Sequence, residues 1–553
     1  MLKLDDNSKF TRREFFRLAG SGVVGVVGGM IFGRMYNNFG DIAQNNNYAL
    51  KNLAYADTLG SWSLGANMSK TPIHATLLPT GWIIYLTGSD YAPTQQKGPY
   101  WVGLFDPDTG IQKSDTVPHD VFCCGHCLLP NGNLLLTGGT LAYAQNTPNG
   151  RWWGGNWVYE YDIALNSFVQ VTSMAHGRWY PTPVALPNGT VAVVSGYDEF
   201  GCTNGLMEIY DPHSQSFSIK YDPLTNLMYC VGACTTLPGA GSPCYGGTDH
   251  GTVPPMSYYP RMHIMPNGLL ACVGMNQPLK TWNPSTGHWI SGGQFATGKN
   301  RVYGTSVLLP LKNSTTETGS ILSIGGAPDF ASPATNQSEI VTPNGNSLQT
   351  HSTTSMKYPR LYLNATILPT GSIFVNGGTT QADLISNSVY AAEMFDPITQ
   401  KWTTLPSAKV ARRYHSVSLL LKDGRVWTAG TTIGQNPPGE LRTEIFSPSY
   451  LFVARPIITG LPIIRGGYGG SITIPTPNAT SISSVSLVKI SSVTHHYSSD
   501  QRLVWLQIQR SDLNSVTVAA PINANIAPPG YYLIHILDEK RIPSTGQFIK
   551  IPM

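Results

Sequence analysis

Apolar positions along this chain come in short paired runs with a turn between them. "HATLLPTGWIIYLTG" from His74, "GHCLLPNGNLLLTGG" from Gly125, "TPVALPNGTVAVVSG" from Thr182 and "RMHIMPNGLLACVG" from Arg261 share this layout. So do "LNATILPTGSIFVNGG" from Leu363 and "HSVSLLLKDGRVWTAG" from His415, and, with a longer turn, "YGTSVLLPLKNSTTETGSILSIGG" from Tyr303. Each is an apolar strand, a Pro-Asn-Gly-like turn, a second apolar strand and a small-residue ending. Short apolar runs bounded by Gly, Pro and Asn predict buried strands. Asn-Gly suits a tight turn in which both central residues take positive φ.

The turn glycines are Gly81, Gly132, Gly189, Gly268, Gly319, Gly371 and Gly424, separated by 51, 57, 79, 51, 52 and 53 residues. An aromatic-Asp-Pro marker follows several hairpins, as in Phe105-Asp106-Pro107, Tyr210-Asp211-Pro212 and Phe395-Asp396-Pro397. A period of about 50 predicts a seven-bladed kelch-type β-propeller. The one long interval leaves room for an insertion before blade four, around "YCVGACTTLPGAGSPCYGG". After Pro448 the runs become short and alternating, which predicts an immunoglobulin-like β-sandwich. The expected organisation is an all-β chain: residues 1–56 signal and linker, 57–450 propeller, 451–553 sandwich. A fold alone gives no function.

Composition fits many turns and little surface helix. Charged residues are 12 %, against about 25 % in typical domains. The net charge of +4 comes mostly from residues 1–56, which hold seven Lys/Arg and four Asp/Glu. No basic patch supports nucleic-acid binding. "FTRREFFRLAGSGVVGVVGGMIFG", with Arg12 and Arg13, reads as a twin-arginine export signal. The expected partner is the twin-arginine machinery and the expected location is the cell envelope or outside the cell. A short N-terminal membrane attachment is the alternative, although the apolar run falls short of the about 20 residues a span needs. Ala54-Tyr55-Ala56 offers a cleavage site, far from that run.

Three segments place chemistry just before hairpins: Phe122-Cys123, Arg178-Trp179-Tyr180 and Tyr414-His415-Ser416. Strand starts of this kind line one end of a propeller channel, so the three are expected to converge. "SSVTHHYSSDQR" in the last domain adds His495. Taken singly, each is more simply a packed strand residue. "CGHC", Cys124 to Cys127, copies a redox-isomerase motif, but that motif needs a following helix to lower its thiol pKa. A hairpin follows instead.

With those segments in register, residues 70–553 resemble the galactose oxidase and glyoxal oxidase family of copper radical oxidases. Arg-Trp-Tyr-Pro brings the chain closer to the glyoxal oxidase branch. The resemblance implies one copper ion held by Tyr180, Tyr414, His415 and His495. It implies a Cys123–Tyr180 thioether that carries a radical, and Tyr414 as base. Two imidazoles and a phenolate are a donor set that suits Cu(II). The implied reaction is oxidation of a small aldehyde, primary alcohol or glycan-linked alcohol by O₂, giving H₂O₂. The spacing from Thr494-His495 to Asp500-Gln501-Arg502 favours His495 over His496, and strand alternation would turn the two to opposite faces.

The family's stacking tryptophan falls here on Asp198, so Tyr197 or a more distant aromatic is expected over Tyr180. Arg261, Tyr259 and Tyr303 begin other blades, either facing substrate or simply ending strands. With Cys123 in a thioether, seven of the 8 cysteines remain, an odd number that leaves at least one free thiol unless a partner chain pairs with it. Cys230, Cys234 and Cys244 are expected to staple the insertion, since export allows disulfides. The rival function is a non-catalytic exported kelch-propeller that binds glycans. It would keep the repeats without needing the Cys-Tyr-Tyr-His-His set.

Overall fold

The structure, a computed structural model, describes residues 59–95, 97–220, 258–275, 279–432 and 439–553. The expected export signal, and the insertion with Cys230, Cys234 and Cys244, lie outside the described residues. Among the described residues no helix is long and apolar enough to cross a membrane.

Seven four-stranded antiparallel blades follow one another along the chain. Blade one runs His74–Leu77, Ile83–Gly88, Tyr100–Phe105 and Gln112–Val117. Blade seven takes Val417–Leu420, Val426–Ala429 and Arg442–Ser447, then completes itself with Ser61–Asn67 from the other end of the propeller. The two inner strands are buried along their length, as in Gly125–Leu128 and Leu134–Thr137, because a blade lies on either side. Outermost strands alternate between exposed and half-buried, as in Ser216–Lys220. The aromatic-Asp-Pro marker is explained locally. The third strand ends at the aromatic or at the Asp after it, and Asp106, Asp211 and Asp396 accept the N–H two residues on at 3.0, 2.8 and 2.9 Å.

The hairpin turns differ from the two-residue expectation. All seven turn glycines have φ between 75° and 97°, but the residues before them do not have positive φ. In blade two, Gly132 N–H donates to Leu129 O at 2.9 Å and Leu129 N–H to Asn133 O at 2.9 Å. Five other blades repeat this pair of bonds. This is a three-residue loop, a type I turn closed by a left-handed glycine. Proline explains the difference where it opens the loop, as at Pro130: it has no N–H to pair across a two-residue turn, so the closing pair moves back to Leu129; blade seven, with Lys422 there, adopts the same loop.

The C-terminal domain stacks two sheets. One contains Ile463–Arg465, Ser471–Pro475, Ser515–Ala519 and Ile508–Ser511. The other contains Leu503–Leu506, Ile482–Lys489, Gly530–Asp538 and Gln547–Ile551, and gains Leu311–Lys312 from blade five's long turn. Ile472, Ile474, Leu487, Val516 and Ile534 fill the space between them. One hairpin leaves the sandwich. Its strands, Ser492–Thr494 and Tyr497–Ser498, run along the inner edge of blade one and touch inner strands of blades two, five, six and seven. The tip therefore occupies the propeller channel.

Buried ion pairs repeat with the blades. Arg178 pairs with Glu208 at 2.7 Å, Arg360 with Glu393 at 2.8 Å, and Arg301 with Glu339. The arginine precedes the first strand and the glutamate sits on the third. Arg360 also donates to Gly377 O and Ala391 O, and Glu393 accepts Lys357 N–H, so both buried charges are satisfied.

Candidate metal centre

The centre is built from one backbone position used repeatedly. Two residues before the innermost strand stand Cys123 (φ 61°), Tyr180 (69°), Tyr303 (55°), Tyr362 (58°) and His415 (67°). Blade four contributes Tyr259 (43°), three residues before its strand. Left-handed backbone at a non-glycine residue costs about 1–3 kcal/mol and persists where surroundings over-determine it. Here the surroundings are the neighbouring blades. Tyr180 N–H donates to Cys123 O at 3.0 Å, Tyr259 N–H to Tyr180 O at 2.9 Å, and Tyr362 N–H to Tyr303 O at 2.9 Å. Asp120 steadies the Cys123 loop by accepting the N–H groups of Phe122 and Ser89, and its burial raises its pKa to about 7.

The chemistry-bearing side chains meet. Tyr180 Oη lies 2.6 Å from Tyr414 Oη and 3.1 Å from His495 Nε2. Cys123 Sγ is 3.8 Å from His495 Nε2, and Cys123 and Tyr180 belong to one buried cluster. The donor atoms of Cys123, His415 and His495 all lie within 4.8 Å of one another. Both histidines are held the same way. His415 Nδ1 contacts Thr432 Oγ1 at 3.2 Å and His495 Nδ1 contacts Thr494 Oγ1 at 2.6 Å, leaving Nε2 toward the centre. His415 Nε2 is buried with no hydrogen-bond partner among the described residues. Burial pushes His415 down to about 3 and His495 well below the usual imidazole range. It raises Tyr180, Tyr414 and Cys123 well above theirs. Burial thus keeps the imidazoles neutral, as a metal ligand requires, and disfavours the phenolate and thiolate forms unless a cation compensates them.

His495 and His496 form a hairpin tip, not a strand. Their φ values of 46° and 69° are those of a two-residue turn with both central residues left-handed, so alternation along a strand is not what separates them. His495 joins the donor cluster. His496 faces Tyr362 and Tyr414, at ring distances of 5.5 and 5.7 Å.

A cavity of about 150 Å³ opens beside the cluster, lined by Tyr180, Tyr258, Tyr259, Tyr303, Tyr414 and His496 among others. Arg261 also lines it, but it is 2 % exposed and its guanidinium donates to Tyr259 O, Gly304 O and His495 O. It anchors the hairpin tip. Tyr197 does not stack over Tyr180. Its backbone pairs with Trp179 and its hydroxyl with Tyr258 at 2.8 Å, which holds it behind Trp179. Trp179 itself approaches the Tyr180 ring at 4.0 Å with planes 52° apart, and Trp152 stacks on Trp179 at 4.7 Å and 9°. Asp198 accepts the Phe200 and Cys202 N–H groups instead of meeting the site. Cys124 and Cys127 are buried free thiols on and beside a strand, with no helix after them. Cys123 and Cys272 are free as well, and Cys202 is disulfide-bonded.

Sequence reasoning missed Tyr362, Thr432 and the tryptophan pair. A signal for Tyr362 was present: Arg-x-Tyr recurs at 178–180, 301–303 and 360–362.

Comparison with known proteins resolves the family. Residues 251–450 match the family described as glyoxal oxidase N-terminus, and residues 455–551 match the galactose oxidase-like early set domain. Together these matches cover more than half of the chain. The chain belongs to the galactose oxidase and glyoxal oxidase family of copper radical oxidases. A galactose oxidase of Gibberella zeae is 25 % identical over 89 % of this chain and 71 % of its own length. An aldehyde oxidase of Vitis pseudoreticulata, named GLOX, is 26 % identical over 90 % of this chain and 98 % of its own. The fold of a fungal AA5-family alcohol oxidase, solved in complex with copper, covers 90 % of this copper radical oxidase and 100 % of that chain, with TM-score 0.75 and 23 % identity.

Proposed function

We propose that this copper radical oxidase converts small aldehydes or primary alcohols with O₂ to the oxidised product and H₂O₂, and that it does so with a Cys123–Tyr180 thioether. The carrying observation is the convergence of Cys123, Tyr180, Tyr414, His415 and His495 on one buried cluster beside a cavity. The donor set fits copper: two imidazole nitrogens and two phenol oxygens, one imidazole nitrogen lacking any partner among the described residues. His415, His495, Tyr180 and Tyr414 would hold the ion. Bound copper supplies a one-electron couple beside a second oxidisable group, the thioether-linked ring.

The chain's own residues handle protons and orientation. Tyr414 Oη, 2.6 Å from Tyr180 Oη, is placed to take the proton of a substrate hydroxyl at the cavity wall. The Thr432 and Thr494 hydroxyls fix the two imidazoles with Nε2 turned inward. Arg261 spends three of its N–H groups on the carbonyls of Tyr259, Gly304 and His495, which fixes the hairpin tip that carries His495 at the cavity. The names of the relatives, galactose oxidase and aldehyde oxidase, support this substrate class.

Copper-loaded, oxidant-activated protein should release H₂O₂ from glyoxal or methylglyoxal faster than from galactose. Silence on aldehydes, primary alcohols and sugars alike sinks the reading in favour of a glycan-binding propeller. The thioether has its own readout. Copper and O₂ should lower the intact mass by two hydrogens, speed migration on a reducing gel and yield one peptide joining the Cys123 and Tyr180 segments. For location, we propose twin-arginine export. Replacing Arg12 and Arg13 by Lys should retain the protein in the cytoplasm, and unchanged fractionation refutes the assignment.

A further inference from the structure

Three of the left-handed residues of the channel ring are tied to the preceding blade through their own N–H groups, whereas Tyr303 and His415 are not. Tyr180 reaches back to Cys123, Tyr259 to Tyr180 and Tyr362 to Tyr303, each through a main-chain carbonyl. For Cys123 the preceding blade is blade one. There the matching position, two residues before the innermost strand, is Pro72. A proline ring locks φ at a negative value and excludes the left-handed conformation. Blade one therefore does not repeat the left-handed residue whose carbonyl blades two, three and five present. The imidazole of His74, on the innermost strand itself, takes that place: its Nε2 accepts the Cys123 N–H at 3.2 Å. His74 is fully buried, and accepting through Nε2 places its proton on Nδ1. With Tyr180 N–H on the Cys123 carbonyl, the Cys123 backbone is pinned from both adjacent blades.

We infer that His74 is a positioning residue for thioether formation: its imidazole takes the place of an inter-blade carbonyl and holds Cys123 at φ 61°, in one buried cluster with Tyr180. This rests on the thioether proposed above. Forming that bond joins Sγ to a ring carbon ortho to the Tyr180 hydroxyl. The S–H bond and one ring C–H bond break, and two protons and two electrons leave. O₂ accepts both and becomes H₂O₂. His74 takes no part in that transfer. It narrows the conformations of Cys123 to the one from which Sγ meets the ring.

The test compares cross-linking rates of the full chain and three variants after addition of copper in air. Rates are read from the reducing-gel shift and the joined peptide, with copper affinity measured separately by chelator competition. In His74→Gln the carboxamide oxygen reaches the position of Nε2, and cross-linking should stay within about threefold of wild type, since an equivalent acceptor remains. In His74→Asn the oxygen stops at the position of Nδ1, and in His74→Leu there is none. Both should cross-link about tenfold more slowly or worse, with copper affinity unchanged. His74→Asn keeps a polar side chain in the buried site, so the comparison with Gln stands even where the Leu variant does not fold. An Asn variant as fast as wild type, or a Gln variant as slow as Asn, overturns the inference. A wild-type chain that never cross-links refutes the thioether itself, and is told apart because it involves no change at His74.

Discussion

His415 and His495 reach the same buried cluster by different routes. His415 occupies a position that recurs through the propeller, left-handed and two residues before an innermost strand. The frame under that position repeats too, as Arg–Glu pairs inside single blades. His495 has no repeat behind it. It sits on the tip of a hairpin sent in from the sandwich, held by Arg261 on its carbonyl and Thr494 on its imidazole. What the two share is the last contact, a threonine hydroxyl on Nδ1. The blades thus supply a ring of interchangeable places, and the hairpin supplies the one donor that the ring cannot.

The largest effect should come from breaking the frame. Arg360→Met leaves Glu393 buried without its partner and should cost about 3–5 kcal/mol in denaturant unfolding. A loss under about 1 kcal/mol, typical of an exposed pair, would show that the repeated pairs do not support the ring. Next, the hairpin tip: His495→Ala should lower copper affinity by more than about 100-fold, whereas His496→Ala should stay within about tenfold, the lower end for outer-shell partners. Equal losses at the two positions in a chelator-competition titration would erase the distinction between them. The smallest effect concerns what the routes share. Thr432→Val and Thr494→Val should each weaken copper binding by about tenfold. A greater loss at Thr494, whose contact is 2.6 Å against 3.2 Å at Thr432, would sharpen the contrast in favour of the hairpin.

The blades were legible because strand, turn and strand recur at a near-constant interval and each repeat carries its own turn glycine. Cys123, Tyr180 and His415 were legible because all three stand at one place in that repeat. The remaining features depend on contacts between distant segments. Nothing local in "THHYSS" says that the two histidines close a turn, because the turn is fixed by the pairing of Ser492–Thr494 with blade one. Its place before blade four left Arg261 either facing substrate or simply ending a strand. Its actual acceptors include a carbonyl 234 residues away. The offset from Tyr180 lands on Asp198, which leaves its neighbour Tyr197 or a more distant aromatic open, and backbone pairing to Trp179 places Tyr197 one layer further out. Pro72 and His74 could be read in the sequence, but their meaning needs the bonds of the other blades beside them.

Ser61–Asn67 closes the propeller by pairing with Arg442–Ser447, so the first strand of the ring waits for the last. During synthesis the early strand stays a bare edge until all the other blades have been made, and such edges invite pairing with other chains. A chain cut after Asn67 would keep all seven innermost strands and the whole metal centre. It would also carry Arg442–Ser447 as a permanent open edge, and should therefore self-associate before it loses its chemistry.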